Sequence, residues 1–137
     1  MPPNGLAKLQ RRLNNLPAKA ETSIREALAK SADEIVSSMK LLAPVETGEL
    51  RNSIGWTFGP PSKGSAVTVI ISAGNASTMV YNKRGVPFQK ARLQEFGTVD
   101  MPANPFFFPA YRLGRKRATS RTKRAIRKAV KDSANGN

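Results

Sequence analysis

The chain contains no cysteine and no histidine. Without cysteine there is no disulfide framework, no thiolate nucleophile and no sulfur ligand for a metal. Without histidine, the commonest general base at neutral pH and the commonest neutral metal ligand are also missing. Apolar runs are only a few residues long, far short of the roughly 20 needed to cross a bilayer. The opening "MPPNGLAKLQRRLNNLP" carries basic residues but lacks the apolar core of a secretory signal. The expectation is a soluble, non-exported chain, made in the cytoplasm. Acidic residues are scarce as well: nine Asp and Glu stand against 23 Lys and Arg, for a formal charge of +14. Such an imbalance points to a polyanionic neighbour, whether nucleic acid, a membrane surface or an acidic protein.

What is present reads as one domain, since 137 residues allow one modest core and not two. Ile24, Leu28, Ala32, Ile35, Met39 and Leu42 recur every three or four residues, which predicts an amphipathic helix over about 17–42. Pro17 suits its first turn, and Pro44 cannot continue it. A shorter helix or arm over 1–16 would use Leu6, Leu9, Leu13 and Leu16. Beyond residue 52 the period becomes two. "SIGWTF" and "SAVTVIISA" read as strands, with Val67, Val69 and Ile71 on one face and Thr68, Ile70 and Ser72 on the other. "GPPSKGS" between them reads as an exposed hairpin loop, because its prolines lack donors. "AGNAS" makes a further turn and "TMVYN" a third short strand.

"NKRGVPFQKARLQEFGT" returns to helical character, although a strand suits part of it. Phe88, Ala91, Leu93 and Phe96 offer an apolar side, and Gly97 stands where a helix often ends in the left-handed conformation. In "MPANPFFFPAY" the prolines restrict the backbone, so Phe106, Phe107 and Phe108 can be buried at lower entropic cost. Trp56 and this cluster are expected in the core, whereas an exposed Phe among them would indicate a subunit contact. From residue 112 the chain is read as a basic helix with a frayed tail, after a helix-plus-sheet core over 17–111. Ala118, Thr122, Ala125, Ile126, Ala129 and Val130 form its narrow apolar side. Ten of the 23 cations lie between Arg112 and Lys131.

Little catalytic chemistry is available. Glu46 and Glu49, three apart, are the minimum for a paired-carboxylate or Mg²⁺ site of a nuclease. Acids at a helix start are more often there for electrostatic reasons. There is no Walker loop, GxGxxG or GxSxG, and no cofactor is implied. For the basic helix two readings stay open: phosphate contacts that neutralise charge without reading sequence, or a cationic face meeting an acidic protein. The residues concerned are Arg115, Lys116, Arg117, Arg121, Lys123, Arg124, Arg127 and Lys128.

Three stretches, in order, then become informative together: "APVETGELRNSI", "LQEFGT" and "PANPFFFPA". They resemble the tail-component family of long-tailed bacteriophages, the neck or tail-completion proteins of the head–tail junction. The resemblance spans about residues 20 to 130. It rests on Ala43, Pro44, Val45, Thr47, Gly48, Leu50, Arg51, Ser53 and Ile54, then Glu95, Phe96, Gly97 and Thr98, then Pro105, Phe106, Pro109 and Ala110. The chain departs from the family pattern in lacking a Tyr-Ala pair just before Glu95. The resemblance implies a non-enzymatic virion protein that forms a homo-oligomeric ring around the DNA path, of six copies or alternatively twelve. Its neighbours would be head-completion and tail-terminator or tail-tube proteins, with the packaged double-stranded DNA as a further partner and no membrane. The rival reading is a free-standing DNA-binding protein without sequence preference. Within the first motif, Pro44 ends the long helix and Thr47 with Gly48 makes a tight turn that sends Leu50 inward and Arg51 outward. Glu49 and Arg51 are then candidates for subunit contact. The expected fold is α+β: a long N-terminal amphipathic helix packed on a small antiparallel sheet, a short connecting helix and a basic C-terminal helix.

Overall fold

The computed structural model describes residues 18–46, 48–60 and 67–134. The predicted helix over 1–16, most of the 59–65 hairpin loop and the last three residues lie outside them. The architecture is α+β. Helix α1 (Ala18–Leu42) is followed by a single turn of helix, α2 (Glu49–Asn52), and by strands β1 (Gly55–Gly59) and β2 (Thr68–Ser72). Strands β3 (Met79–Tyr81) and β4 (Pro87–Gln89) precede helix α3 (Lys90–Phe96), and helix α4 (Phe107–Ala134) completes the order.

Helix α1 forms where the three-and-four spacing placed it, and its inward positions Ala32, Ile35, Val36 and Met39 are buried. Glu21 in its first turn and Lys40 in its last complement the helix dipole. β1 and β2 pair antiparallel, with Trp56 opposite Ile71 and Phe58 opposite Val69. Two residues apart, Trp56 and Phe58 share a face, and their rings meet edge to face at 5.2 Å. That face is tied to α1: Trp56 Nε1 donates to Asp33 Oδ1 at 2.7 Å, and Arg25 lies over the Phe58 ring at 4.8 Å. Val69 and Ile71 are half-buried while Ile70 and Ser72 are exposed, the alternation read from the sequence.

The third strand does not extend this ribbon. β3 pairs with β4, Val80 opposite Phe88, as a second two-stranded ribbon. Its turn is held by Asn82, whose Oδ1 accepts from the Arg84 and Val86 amides at 2.8 and 2.9 Å. The strand character suspected within 82–98 is β4, and the short helix ends at Phe96 as predicted.

Helix α4 starts at Phe107, five residues ahead of the basic stretch that marked it in the sequence. It runs antiparallel to α1: Gly114 sits against Ile35, and Arg121 reaches back to Ser31 and Glu34. A Cβ at Gly114 would fall 2.6 Å from Ile35 Cγ1, so the two backbones approach closely only because that side chain is missing. A mid-helix glycine costs roughly 0.5–1 kcal/mol, which this close packing offsets. The core gathers Ile35, Val36 and Met39 of α1 with Ala43, Leu50, Ile54, Ala91, Phe106 and Ala110. Among the described residues, α1 to α4 thus each contribute to one cluster.

Candidate functional site

The stretch from Ala43 to Ile54 is a joint in which almost every motif residue has work inside the chain. The Ala43 amide donates to Met39 O at 2.9 Å, closing α1 before Pro44, and the Ala43 side chain is buried. Gly48 adopts φ 82 and ψ −7, the left-handed conformation that glycine takes most cheaply, and turns the chain into α2. Leu50 then enters the core at 2 % exposure. Ser53 Oγ donates to Leu50 O at 2.6 Å and accepts from the Gly74 amide at 2.9 Å, tying the end of β2 to this joint. Ile54 is buried and delivers the chain to β1. Pro44 is half-buried and Val45 exposed, while Thr47 and its predicted turn lie outside the described residues.

Arg51 is placed differently from the sequence reading. It is half-buried, and its Nε donates to Lys40 O at 3.0 Å, satisfying one of the carbonyls that α1 leaves open at its C-terminus. Glu49 is exposed at the start of α2. Glu46 forms an ion pair with Lys90 Nζ at 3.2 Å. Among the described residues, no group of three or more His, Cys, Asp or Glu side chains gathers.

The second and third motifs meet at a clamp. Glu95 is a buried carboxylate. Its Oε2 accepts from the Phe106 and Phe107 amides and its Oε1 from the Phe108 amide, all at 2.9 Å. A helix leaves its first four N–H groups without internal partners. Here three are taken by one carboxylate, and the next residue, Pro109, has no N–H. The negative charge also sits at the positive end of the helix dipole. Phe106 stands at the capping position, where Ser, Thr, Asp or Asn would normally supply the oxygen, so the cap comes from another helix.

Gly97 makes the return possible. Its φ of 74 with ψ −180 is a combination open essentially to glycine alone, not the left-handed helical one predicted. A Cβ there would lie 2.7 Å from Ala103 N. The loop is fastened by Thr98 N to Met101 O at 2.8 Å and Asn104 N to Gln94 O at 2.8 Å. Consequently the buried positions of α3 are Ala91 and Glu95, four apart, while Phe88 and Phe96 face solvent and Leu93 is half-buried. The predicted apolar side gave way because Glu95 must face the start of α4.

The aromatic cluster runs from core to surface. Phe106 is 1 % exposed, whereas Phe108 is 45 % and Phe96 64 %. Successive rings touch, with centroids 6.4 Å apart for Phe106 and Phe107, 5.4 Å for Phe107 and Phe108, and 6.2 Å for Phe108 and Phe96. The expectation that all three phenylalanines lie in the core holds for Phe106 and fails for Phe108. Pro105 is exposed beside them, as is Thr98, and Pro109 is half-buried. The β3–β4 ribbon is a second exposed apolar area, with Tyr81, Val86 and Phe88 at 40 % exposure or more.

The basic helix divides into two sets. Arg121 is nearly buried and forms a bidentate pair with Glu34, Nη1 at 3.1 Å and Nη2 at 2.9 Å, and Nη1 also donates to Ser31 Oγ at 3.0 Å. Arg117 Nε adds a contact to Glu34 at 3.6 Å. The Arg121 hydrogen bonds hold the Glu34 carboxyl below its ordinary pKa against partial desolvation, with the charges of Arg117, Arg121 and Lys30 acting in the same direction. Arg115, Lys116, Lys123, Arg124, Arg127 and Lys128 are exposed. Sequence reasoning grouped all eight cations. The signal that separates them is Glu34, an acid on α1 that only the antiparallel packing brings to Arg121.

A sequence family described as HK97-gp10_like, "Bacteriophage HK97-gp10, putative tail-component", matches residues 7–97. The matched span contains the Ala43–Ile54 joint and ends at Gly97, before Phe106–Phe108 and α4. No curated protein gives a significant match, and no solved structure does either.

Proposed function

The chain belongs to the HK97-gp10-like family of bacteriophage tail components, and from that premise we propose a non-enzymatic virion protein of the head–tail junction. In this reading it is a neck or tail-completion protein, made in the host cytoplasm, that forms a ring of six copies, or alternatively twelve, around the DNA path. Head-completion proteins would lie on one side and tail-terminator or tail-tube proteins on the other. Among the described residues, no helix is long and apolar enough to cross a membrane.

The observation that carries the ring is the pair of exposed aromatic rings, Phe96 and Phe108, mounted on the Glu95 clamp. Large apolar side chains held rigidly at the surface are characteristic of subunit contacts. A ring needs a second, different patch on the same chain, because each copy meets its neighbour head to tail. On the β3–β4 ribbon, Val80 and Phe88 are cross-strand partners on one face and both are exposed, and they supply such a patch. Glu49 remains a candidate contact at the exposed start of α2, and Arg51 is the weaker one because it already serves Lys40 O.

The test combines Phe96→Asp with Phe108→Asp in the phage and in purified protein. The reading expects particles that lack joined tails, and a loss of ring-sized species by light scattering of material assembled at high concentration. Normal particles carrying both substitutions, or imaged virions with no density for this protein at the junction, would remove it.

A further inference from the structure

We propose that the outward face of α4 binds the phosphate backbone of duplex DNA. From Met101 to Lys131 the sequence has ten cations and no carboxylate. The structure sorts those cations by direction. Gly114 marks the side of α4 that touches α1, and Arg117 and Arg121 on the flank of that side are engaged by Glu34. At roughly 100° per residue, Lys116, Lys123 and Arg127 lie about half a turn from Gly114, in line with Arg112. All four are exposed. Their spacing of four, seven and four residues makes a straight row about 22 Å long at 1.5 Å per residue. Ser120, also exposed, falls beside the row and brings a hydroxyl of the kind that donates to phosphate oxygens.

The composition of the row selects the partner. A protein interface has an apolar centre and is depleted in lysine, and this row contains no apolar side chain. Neutralising phosphates with release of counterions requires only closely spaced cations. Single strands are bound largely by stacking on aromatic rings, and α4 has none after Tyr111. A duplex is therefore the fitting polyanion. The choice of DNA rests on the neck reading, in which copies each carrying +14 surround the DNA path and would repel one another without an anion between them. The family match ends at Gly97, ahead of every residue of this row.

The experiment measures binding of full-length protein to a short labelled duplex of random sequence by fluorescence anisotropy. With about four phosphates neutralised and a slope of about −0.9 per phosphate, affinity should fall roughly 100-fold between about 50 and 200 mM salt. The triple variant Lys116→Glu, Lys123→Glu, Arg127→Glu should bind at least about 30-fold more weakly at the lower salt and lose most of that slope. A charge-matched control, Lys83→Glu, Arg84→Glu, Arg92→Glu, should stay within about threefold of wild type, because its positions lie off α4. Neutral replacement of the same three α4 residues by Gln should give the same ordering if the charge-reversed protein proves unstable. Equal weakening by the triple variant and the control would overturn the proposal. So would tighter binding to polyglutamate than to the duplex, which would assign the face to an acidic protein. Either failure leaves the neck reading standing, and virions without the protein at the junction would leave this binding result intact.

Discussion

Replacing Glu95 by Gln keeps the volume of the side chain and removes one of the two oxygens that hold the start of α4. In the native protein Oε2 serves the Phe106 and Phe107 amides and Oε1 serves Phe108. With the amide oxygen in the Oε2 position, the new NH₂ faces the Phe108 N–H, donor against donor. One hydrogen bond to a charged acceptor is lost, worth about 1.5–3 kcal/mol. The other two lose their charge assistance, and the favourable charge at the helix start, worth about 0.3–1 kcal/mol or more when partly buried, disappears. The expected loss is about 3 kcal/mol. Glu95→Ala, which strands all three amides, should cost about 5 kcal/mol. For a chain of this size about 3 kcal/mol corresponds to a fall of roughly 10–15 °C in Tm. Thermal unfolding followed by circular dichroism gives the total, and hydrogen exchange at the Phe106, Phe107 and Phe108 amides locates it. The reasoning is refuted if Glu95→Gln costs less than about 1 kcal/mol, or if those three amides exchange as slowly as before while the remainder of α4 loosens.

Two further outcomes follow from the packing of α1 on α4. Gly114→Ala places a methyl group 2.6 Å from Ile35 Cγ1, and although alanine is the better helix former by about 1 kcal/mol, overpacking of about 1–3 kcal/mol should leave the variant less stable in urea denaturation. Combined with Ile35→Ala, its cost should shrink markedly, a coupling that a double-mutant cycle would measure. Glu34 has its pKa lowered below 4.5, chiefly by the hydrogen bonds of Arg121, so its contribution to stability is complete above the unfolded value and is lost as pH falls through the lower folded value. Wild type should therefore lose stability more steeply than Glu34→Gln on acidification below about pH 4.5, as read from unfolding midpoints across that range.

Local periodicity made much of the fold legible. The three-and-four spacing from Ile24 and the two-residue alternation of Val67 to Ile71 are statements about which side of an element meets water. The first held as far as Met39 but not at Leu42, which is exposed, and the second held except at Thr68, which is half-buried. Proline and glycine placed the ends: Pro44 stops α1, and Gly48 turns the chain into α2 with its φ of 82. The start of α4 was misplaced because the sequence around it holds no capping residue of its own. The partner of "FFF" is a carboxylate eleven to thirteen residues earlier, and no local rule links the two. The bond that half-buries Arg51 was not legible for a related reason, since its acceptor is a backbone carbonyl on the preceding helix, which carries no sequence signature.

The sequence by itself determined the classes of chemistry available, the amphipathic elements, the cationic excess of the last third, and the ordered motifs on which the resemblance to a phage tail component rests. These are properties of residue type and short-range spacing, and they survive whatever the elements do next. Only the tertiary structure decided which residues serve the chain and which are left for partners. Glu95 became a helix cap and Arg117 and Arg121 the neighbours of Glu34, whereas Lys116, Lys123, Phe96 and Phe108 stayed at the surface. Hydrogen bonds and ion pairs act over a few ångströms, so an exposed charge and a satisfied one are told apart only after packing has fixed what lies beside each.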